Sequence, residues 1–453
     1  MTARWWVLLA TLGALVAIDV PELGSQPWPF SGGVHARGLF APLVRAAHER
    51  WDLGVMRSIA VLTGVLVLAA AVAVWTRRRA HPAVLTALTA VVVAALVLPA
   101  VFLQLGLRQS SAPWRYVNDS TYQIELGGDL VRHGHTPYGH DYSGTGLRRW
   151  YAQPATHGAE TPRGSVALHH FAYFPGTALL AAVWGVLPSP LDDYRLLVAL
   201  CTLALLAVAL LFPGPLPSRL ALGAALAANP LSVRAAWFGT ADAPSLLLLV
   251  LSLALLARRR YTAAAACLGG AVLVKQFALV AVPFFVAMLR QLGAPWRRPL
   301  AVGAGILVAG LLPFLIADPG ALWHDTVTYG GGTYRIIGYG LAALLVRAHA
   351  IGNRTGYYPF FLLAAFVWLP VTLWLVRLQL RTRALSRGAL GFALSIFLLL
   401  FLGRVFQTSY LVYPLAGILL ACLLLAADEH DAARPVPTGG DDETVATGAV
   451  GRA

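Results

Sequence analysis

Apolar residues run almost unbroken through about twelve stretches of this chain, and polar and charged residues gather in the gaps between them. The stretches cover 5–20, 56–75, 83–107, 171–187, 196–212, 220–236, 244–257, 262–289, 300–317, 359–376, 389–403 and 409–427. With flanking residues, each is long enough to cross a hydrocarbon core of ~30 Å. Backbone polar groups in lipid must bond within their own segment, so every run is predicted to be helical. The pattern predicts an all-α, polytopic integral membrane protein of about twelve transmembrane helices, some of them broken or re-entrant. The first run starts beside Met1 and lacks a small-residue cleavage site, which reads as a retained helix.

Composition agrees. Of 453 residues, 58% are hydrophobic and 12% charged, and the mean hydropathy of +0.69 excludes an ordinary soluble domain. The net charge of +14 sits in arginine clusters beside the spans, the pattern that orients a membrane protein, so no nucleic-acid partner is needed to explain it. Arg77, Arg78 and Arg79, then Arg290, Arg297 and Arg298, then Arg377, Arg381, Arg383 and Arg387 mark the cytoplasmic side. Loops 21–55, 108–170 and 318–358 then face outside, and the polar tail from Asp428 is predicted to be a disordered cytoplasmic segment. The chain divides into an N-terminal two-helix addition with an outside loop (1–82), a transmembrane domain (83–427) and the tail (428–453). Cys201, Cys267 and Cys422 fall within spans and read as packing residues.

Simple alternation of spans conflicts with one cluster, because it places Arg258, Arg259 and Arg260 outside. Two readings resolve this. Either the triplet is an exception and 262–289 is one long helix carrying Lys275 at mid-membrane, or 220–242 and 262–289 each break into halves. In the second reading, which the pattern favours, Asn229-Pro230 breaks the former and Lys275-Gln276 the latter, and Asp242 and Lys275 both face outside.

Lys275 is the chain's only lysine and lies in an otherwise uncharged apolar run. A charge at membrane depth needs water, a partner or an anionic ligand. It therefore snorkels or pairs with a carboxylate, or it clamps a phosphate. Loop 108–170 holds the densest chemistry, with Asn118, Asp119, Tyr122, Glu125, Asp129, His133, His135, Tyr138, His140 and Asp141. A polar helix from Asp119 to His133 would put Asp119, Tyr122 and Glu125 on neighbouring turns facing one direction, with Pro137 ending it. A carboxylate just outside the membrane can take a proton from a hydroxyl nucleophile. His133, His135 and His140 match no common ligand spacing, so no metal site is assigned and no cofactor is required; a divalent cation is not indicated. Asp242, ahead of Ala243-Pro244, reads either as a site residue or as a helix N-cap. Arg404 reads as a ligand or as an interfacial anchor, and His169 and His170 sit at the membrane boundary. In the third outside loop, Trp323, His324, Asp325, Tyr329, Gly330-Gly331-Gly332 and Arg335 suggest a mobile cover for a substrate.

Asp119-x-x-Tyr122, Gly134-x-x-Pro137-Tyr138 and Phe171-x-Tyr173-x-Pro175 together resemble the first-loop pattern of GT-C membrane glycosyltransferases that use polyprenyl-phosphate sugars. Asn229-Pro230 with Gly239-x-x-Asp242, Lys275-Gln276 with Pro283, and Gln407-x-x-Tyr410-x-x-x-Pro414 extend the resemblance in order from about residue 83 to 427. The set is similar to the bacterial polyprenyl-phosphate-mannose-dependent α-mannosyltransferases, glycosyltransferase family 87-like. Two departures stand out: two helices precede the loop that carries Asp119, and the acidic motif is a single Asp after Asn118 rather than an acidic pair.

The resemblance implies a membrane enzyme that moves a hexose, mannose in that family, from a polyprenyl-phosphate donor to a lipid or glycan hydroxyl at the outer face, with inversion. Such a donor has a good leaving group already, so the protein must hold the phosphate, position the acceptor and take up one proton. Asp119 is the expected base. Lys275 and Arg404 are the expected phosphate clamps, with Gln276, Gln407 and Tyr410 donating neutral hydrogen bonds. Tyr122, Tyr138, His170, Tyr173 and Asp242 are expected to meet the acceptor or support the site. The rival classes are a lipid-sugar or small-solute transporter or flippase and an inactive scaffold. A transporter of this kind carries internal repeats, and none is evident between the halves.

Overall fold

A computed structural model describes residues 34–50, 81–111, 116–150, 167–382 and 384–432, with short helical stretches between 58 and 70. Run 5–20, the Arg77–Arg79 cluster, Arg383, the tail beyond 432 and half of 56–75 lie outside the described residues. The regular structure among the described residues is helical, apart from a two-residue parallel pairing of β1 (Ile337–Gly338) with β2 (Val405–Phe406). Among the described residues, five helices are long and apolar enough to cross a membrane: α1 (Pro82–Gln109), α10 (Arg297–Ala317), α11 (Phe360–Thr382), α12 (Leu385–Leu402) and the stretch Thr408–Leu425, which runs into α13 (Val412–Ala432). Between α1 and α10 come α2 (Asp119–Arg132), α3 (Pro175–Trp184), α4 (Tyr194–Ala209), α5 (Leu216–Ala227), α6 (Pro230–Phe238), α7 (Asp242–Ala257), α8 (Tyr261–Val274) and α9 (Val282–Gln291).

Both long apolar runs break where the sequence suggested. Asn229 serves two helices at once: its amide Nδ2 donates to the Ala225 and Leu226 carbonyls at the end of α5 (2.7 and 3.0 Å), and its Oδ1 accepts from Ser232 N–H (3.0 Å) at the start of α6. Pro230 in the first turn suits this start, since its missing N–H would have no helical partner there. Gly239 ends α6 in the left-handed region (φ 65°), and a Cβ there would lie 2.5 Å from Arg195 Cγ and 2.8 Å from Thr121 Oγ1. The second run stops at Lys275, whose extended backbone (φ −143°, ψ 119°) leads through a 3₁₀ turn, Gln276–Ala281, into α9.

α7 and α8 pack as an antiparallel hairpin whose turn is Arg258–Arg260, so Asp242 and Lys275 share one end and the arginines the other. Arg258 Nε and Arg219 Nη1 both donate to carbonyls at the end of α4, Leu211 and Leu210, which fixes that end of α4 and α5 as the arginine end. The opposite end carries Asp119, Asp242 and Lys275.

One apolar run does not cross. α3 is ten residues long, about 15 Å, half of a hydrocarbon core. Both of its ends are tied to the site end: Thr177 Oγ1 donates to Val274 O (2.6 Å), beside Lys275, while Gly185 O accepts from Arg132 of α2 and Trp184 Nε1 donates to Asp193 O (3.1 Å). The run 171–187, expected to span, is corrected to a half-depth helix that turns back. Strict alternation then holds through α1, α4, α5 with α6, α7, α8, the 3₁₀ turn with α9, and α10 to α13. Arg258–Arg260, Arg290, Arg297 and Arg298, and Arg377 with Arg387 all fall at one end without exception. α10 and α11 leave most of their side chains uncovered, Ile316 and Phe366 among them, as suits helices facing lipid.

Candidate functional site

Asn118 caps α2 by accepting Thr121 N–H at 2.8 Å, and this sets Asp119 in the first turn, where the helix dipole favours a carboxylate. Asp119 Oδ1 accepts Ser120 N–H (2.8 Å), and the half-buried side chain lies close enough to Tyr173, Tyr329 and Tyr334 to act on all three phenols. Burial and then the Asp119 charge push Tyr334 up to about 12, so it stays a neutral hydroxyl at physiological pH.

Tyr173 links this carboxylate to the lysine. Lys275 Nζ sits 5.0 Å from the Tyr173 ring centroid, 5.2 Å from Phe277 and 5.6 Å from Tyr410, within cation–π range of three rings. It is 5% exposed, and its Nζ is 3.5 Å from Asp242 Oδ1, an ion contact rather than a short hydrogen bond. Asp242 is not an N-cap: it is the first residue of α7, and its Oδ1 has no hydrogen-bond partner. Gln276 Nε2 donates to Ala172 O (3.2 Å), while its Oε1 is buried without a partner, as is the Tyr194 hydroxyl.

The structure thus brings together Asp119, Tyr173, Asp242, Lys275, Gln276 and Tyr410. Gln407 is exposed at the start of the turn that carries Tyr410. Arg404 is 2% exposed, with Nε donating to Tyr334 O (2.6 Å) and Nη2 to Gly356 O (3.2 Å); its Nη1 is buried and unpartnered. Beside the β1–β2 pairing, Arg404 pins the third loop. Tyr122 packs on Trp150, with ring centroids 5.7 Å apart. Tyr138 is buried edge-on to Phe171 and Phe314, its hydroxyl donating to Tyr173 O (2.8 Å), so it braces the segment that presents Tyr173. Asp129 and Asp141 pair instead with Arg132 and His169 near the surface.

Glu125 faces away from Asp119. It takes a bidentate pair from Arg108 (2.8 and 2.7 Å) and accepts Tyr194 N–H (3.0 Å). Arg108 also reaches Asp193 (2.9 Å), which Arg195 grips through Nε and Nη2 (2.9 and 2.6 Å). Burial alone would raise the Asp193 carboxyl, but Arg195 and Arg108 outweigh it and hold the group far below the usual carboxylate range. This network fixes α2, and with it Asp119, against α1 and α4. Sequence reasoning missed it, although Asp193 and Arg195 beside the apolar run 196–212 were a readable sign.

The third loop folds over the first. Asp325, 1% exposed, accepts His170 Nδ1 (2.9 Å), Gly139 N–H (2.9 Å) and Phe171 N–H (3.1 Å). Burial pushes its carboxyl up; these hydrogen bonds prevail and hold it below the usual value. His170 stacks on Tyr329 at 4.2 Å, and Tyr329 meets Tyr334 at 4.7 Å, so aromatic contacts run from Asp325 towards Asp119.

The model of Glycosyltransferase family 87 matches residues 171–403, just over half of the chain. The chain belongs to glycosyltransferase family 87. The family stretch takes in Tyr173, Asp242, Lys275, Gln276, Asp325 and Tyr334; Asp119 with α2 precedes it, and Arg404, Gln407 and Tyr410 follow it. None of the curated proteins matches the chain. Among solved structures, a crystal structure of ArnT from Cupriavidus metallidurans bound to undecaprenyl phosphate aligns at 19% identity and a TM-score of 0.43, covering 76% of this chain. The chain spans 60% of the length of that protein. At that distance the likeness bears on neither chemistry nor substrate.

Proposed function

We propose that this family 87 protein is an inverting membrane glycosyltransferase that moves a hexose, mannose by resemblance, from a polyprenyl-phosphate donor to a lipid or glycan hydroxyl. The observation that carries the reading is a carboxylate and a buried ammonium that both lie near one tyrosine, Asp119 and Lys275 with Tyr173. Transfer from a phosphate ester needs both: a base for the acceptor hydroxyl and a cation where charge gathers on the departing oxygen. Asp119 takes the acceptor proton. Lys275, held among three rings and only loosely by Asp242, is the phosphate clamp, and the unpartnered oxygen of the adjacent Gln276 and the Tyr194 hydroxyl near Asp242 suit a polar ligand. Tyr410, Gln407 and Tyr122 border the substrates, His170 supports the covering loop, and Arg404 acts by pinning that loop. The arginine end is read as cytoplasmic, which puts the site and its lipid donor at the outer face and the tail inside. No step in this reading uses a cofactor.

A second reading of Lys275 has its own observation. The 3.5 Å contact with Asp242 is what a structural ion pair at membrane depth would show. Radiolabelled polyprenyl-phosphate mannose and a membrane lipid extract, incubated with detergent-purified protein and its Asp119→Asn variant, test the proposal. Labelled product that depends on Asp119 supports it; no transfer by the parent from any polyprenyl-phosphate sugar overturns it.

A further inference from the structure

Three metal-binding side chains, 154 residues apart in sequence, meet where the third loop lies on the first. His170 comes from the segment that leads into α3, and His324 and Asp325 open the π-helical turn His324–Thr333. One ligand atom from each lies within 4.8 Å of the other two. Two nitrogens converge on one oxygen: His170 Nδ1 is 2.9 Å and His324 Nδ1 3.6 Å from Asp325 Oδ1. Ligands bound at 2.0–2.1 Å around a tetrahedral cation stand about 3.3–3.4 Å apart, and the two distances bracket that value. The longer one is an ion contact at most and no hydrogen bond, which leaves His324 free to take a ligand at that nitrogen.

We propose that His170, His324 and Asp325 form a binding site for a zinc-like divalent cation that clasps the third loop to the first. Two imidazoles and one carboxylate suit a borderline first-row metal, whereas magnesium and calcium prefer an all-oxygen set. The surroundings are those of a supported ligand set. Asp325 Oδ2 is anchored by the Gly139 and Phe171 N–H groups, which leaves Oδ1 to turn towards the histidines. The His170 ring is held flat against Tyr329. The cation takes the place of the proton that His170 Nδ1 and Asp325 Oδ1 share. His324 is about half exposed, with a side-chain exposure of 54%, which gives a path of entry and leaves a further coordination position for water. The inference is independent of the proposed transfer reaction.

Zinc titration of full-length protein, purified in detergent on a histidine-free tag, tests it by metal analysis and by thermal unfolding. One zinc per chain and a zinc-dependent rise in melting temperature are expected, with no rise from magnesium. His324→Gln, at a partly exposed position, should melt like the parent without zinc and bind zinc about a hundredfold or more weaker. His170→Gln should lose the same zinc. A parent that binds no stoichiometric zinc, or a His324→Gln variant that keeps both the zinc and the thermal rise, overturns the proposal.

Discussion

Two buried charged clusters lie at the same end of this bundle, and they are built on opposite principles. In the Arg108–Glu125–Asp193–Arg195 cluster each carboxylate meets a guanidinium at 2.9 Å or less, and Gln104 Oε1 takes Arg195 Nη1 at 2.9 Å. In the Asp242–Lys275 cluster the ions stand 3.5 Å apart, and Asp242 Oδ1, Gln276 Oε1 and the Tyr194 hydroxyl are buried without partners. Tyr194 touches both, its N–H spent on Glu125 and its hydroxyl on nothing. A saturated network has no capacity left for a ligand, whereas an unsaturated one carries a desolvation cost that an incoming polar group relieves. The first cluster is a brace, and the second is where the proposed donor site lies.

The largest effect should come from breaking the brace. Asp193→Ala leaves Arg195 buried and uncompensated, and a loss of about 3–5 kcal/mol in unfolding stability is expected by denaturant titration. That contribution has a definite pH course. The folded-state pKa of Asp193 is depressed, so the stabilisation is complete above the unfolded value of roughly 3.9 and disappears only as pH falls through the folded value. The stability gap between parent and variant should stay constant from about pH 5 to 8 and close in acid.

Asp119→Asn should act on turnover alone. It keeps the shape of the side chain and removes the proton acceptor, so transfer should drop by about 100- to 10,000-fold with donor binding and thermal stability little changed. Full activity in this variant, with the loss moved to Asp129→Asn or Asp141→Asn, would name another carboxylate as base.

Lys275→Met sharpens the contrast between brace and site. It strands Asp242 and should lower stability, and adding Asp242→Asn should restore most of it. If the lysine clamps phosphate, the stable double variant still binds donor at least about tenfold more weakly, since the cation is gone. Restored stability with unchanged donor affinity would make the pair purely structural.

The smallest change is Tyr194→Phe. Removing a buried hydroxyl that has no partner should leave the ligand-free protein unchanged or more stable, by up to about 1 kcal/mol. A loss of 2 kcal/mol or more on the same measurement would mean the hydroxyl is partnered after all.

The helix breaks were legible because they rest on local chemistry: Asn229 with Pro230 caps one helix and starts another, and a lone lysine cannot sit inside a lipid-facing turn. Asp119 was legible too, since Asn118 and the polar helix behind it are neighbours in sequence. α3 was misread as a span because apolar length carries no record of the Arg132 and Trp184 hydrogen bonds that hold its far end back. Glu125 was expected to face Asp119, but two turns of drift and the pull of Arg108 carry it round the helix. His170 and Asp325 were each noticed alone; no local pattern joins residues 155 apart, and only the folding of the third loop does so.

The burial of the single lysine has a practical consequence for spectroscopy. Protein grown on lysine labelled with ¹³C or ¹⁵N at the side-chain terminus gives one side-chain ammonium signal, from a buried position in the proposed site, with no assignment needed. Three aromatic rings at 5.0–5.6 Å should shift that resonance strongly by their ring currents. Each event at the site, whether a phosphate arriving, a proton leaving or the third loop lifting away, then becomes the movement of one line.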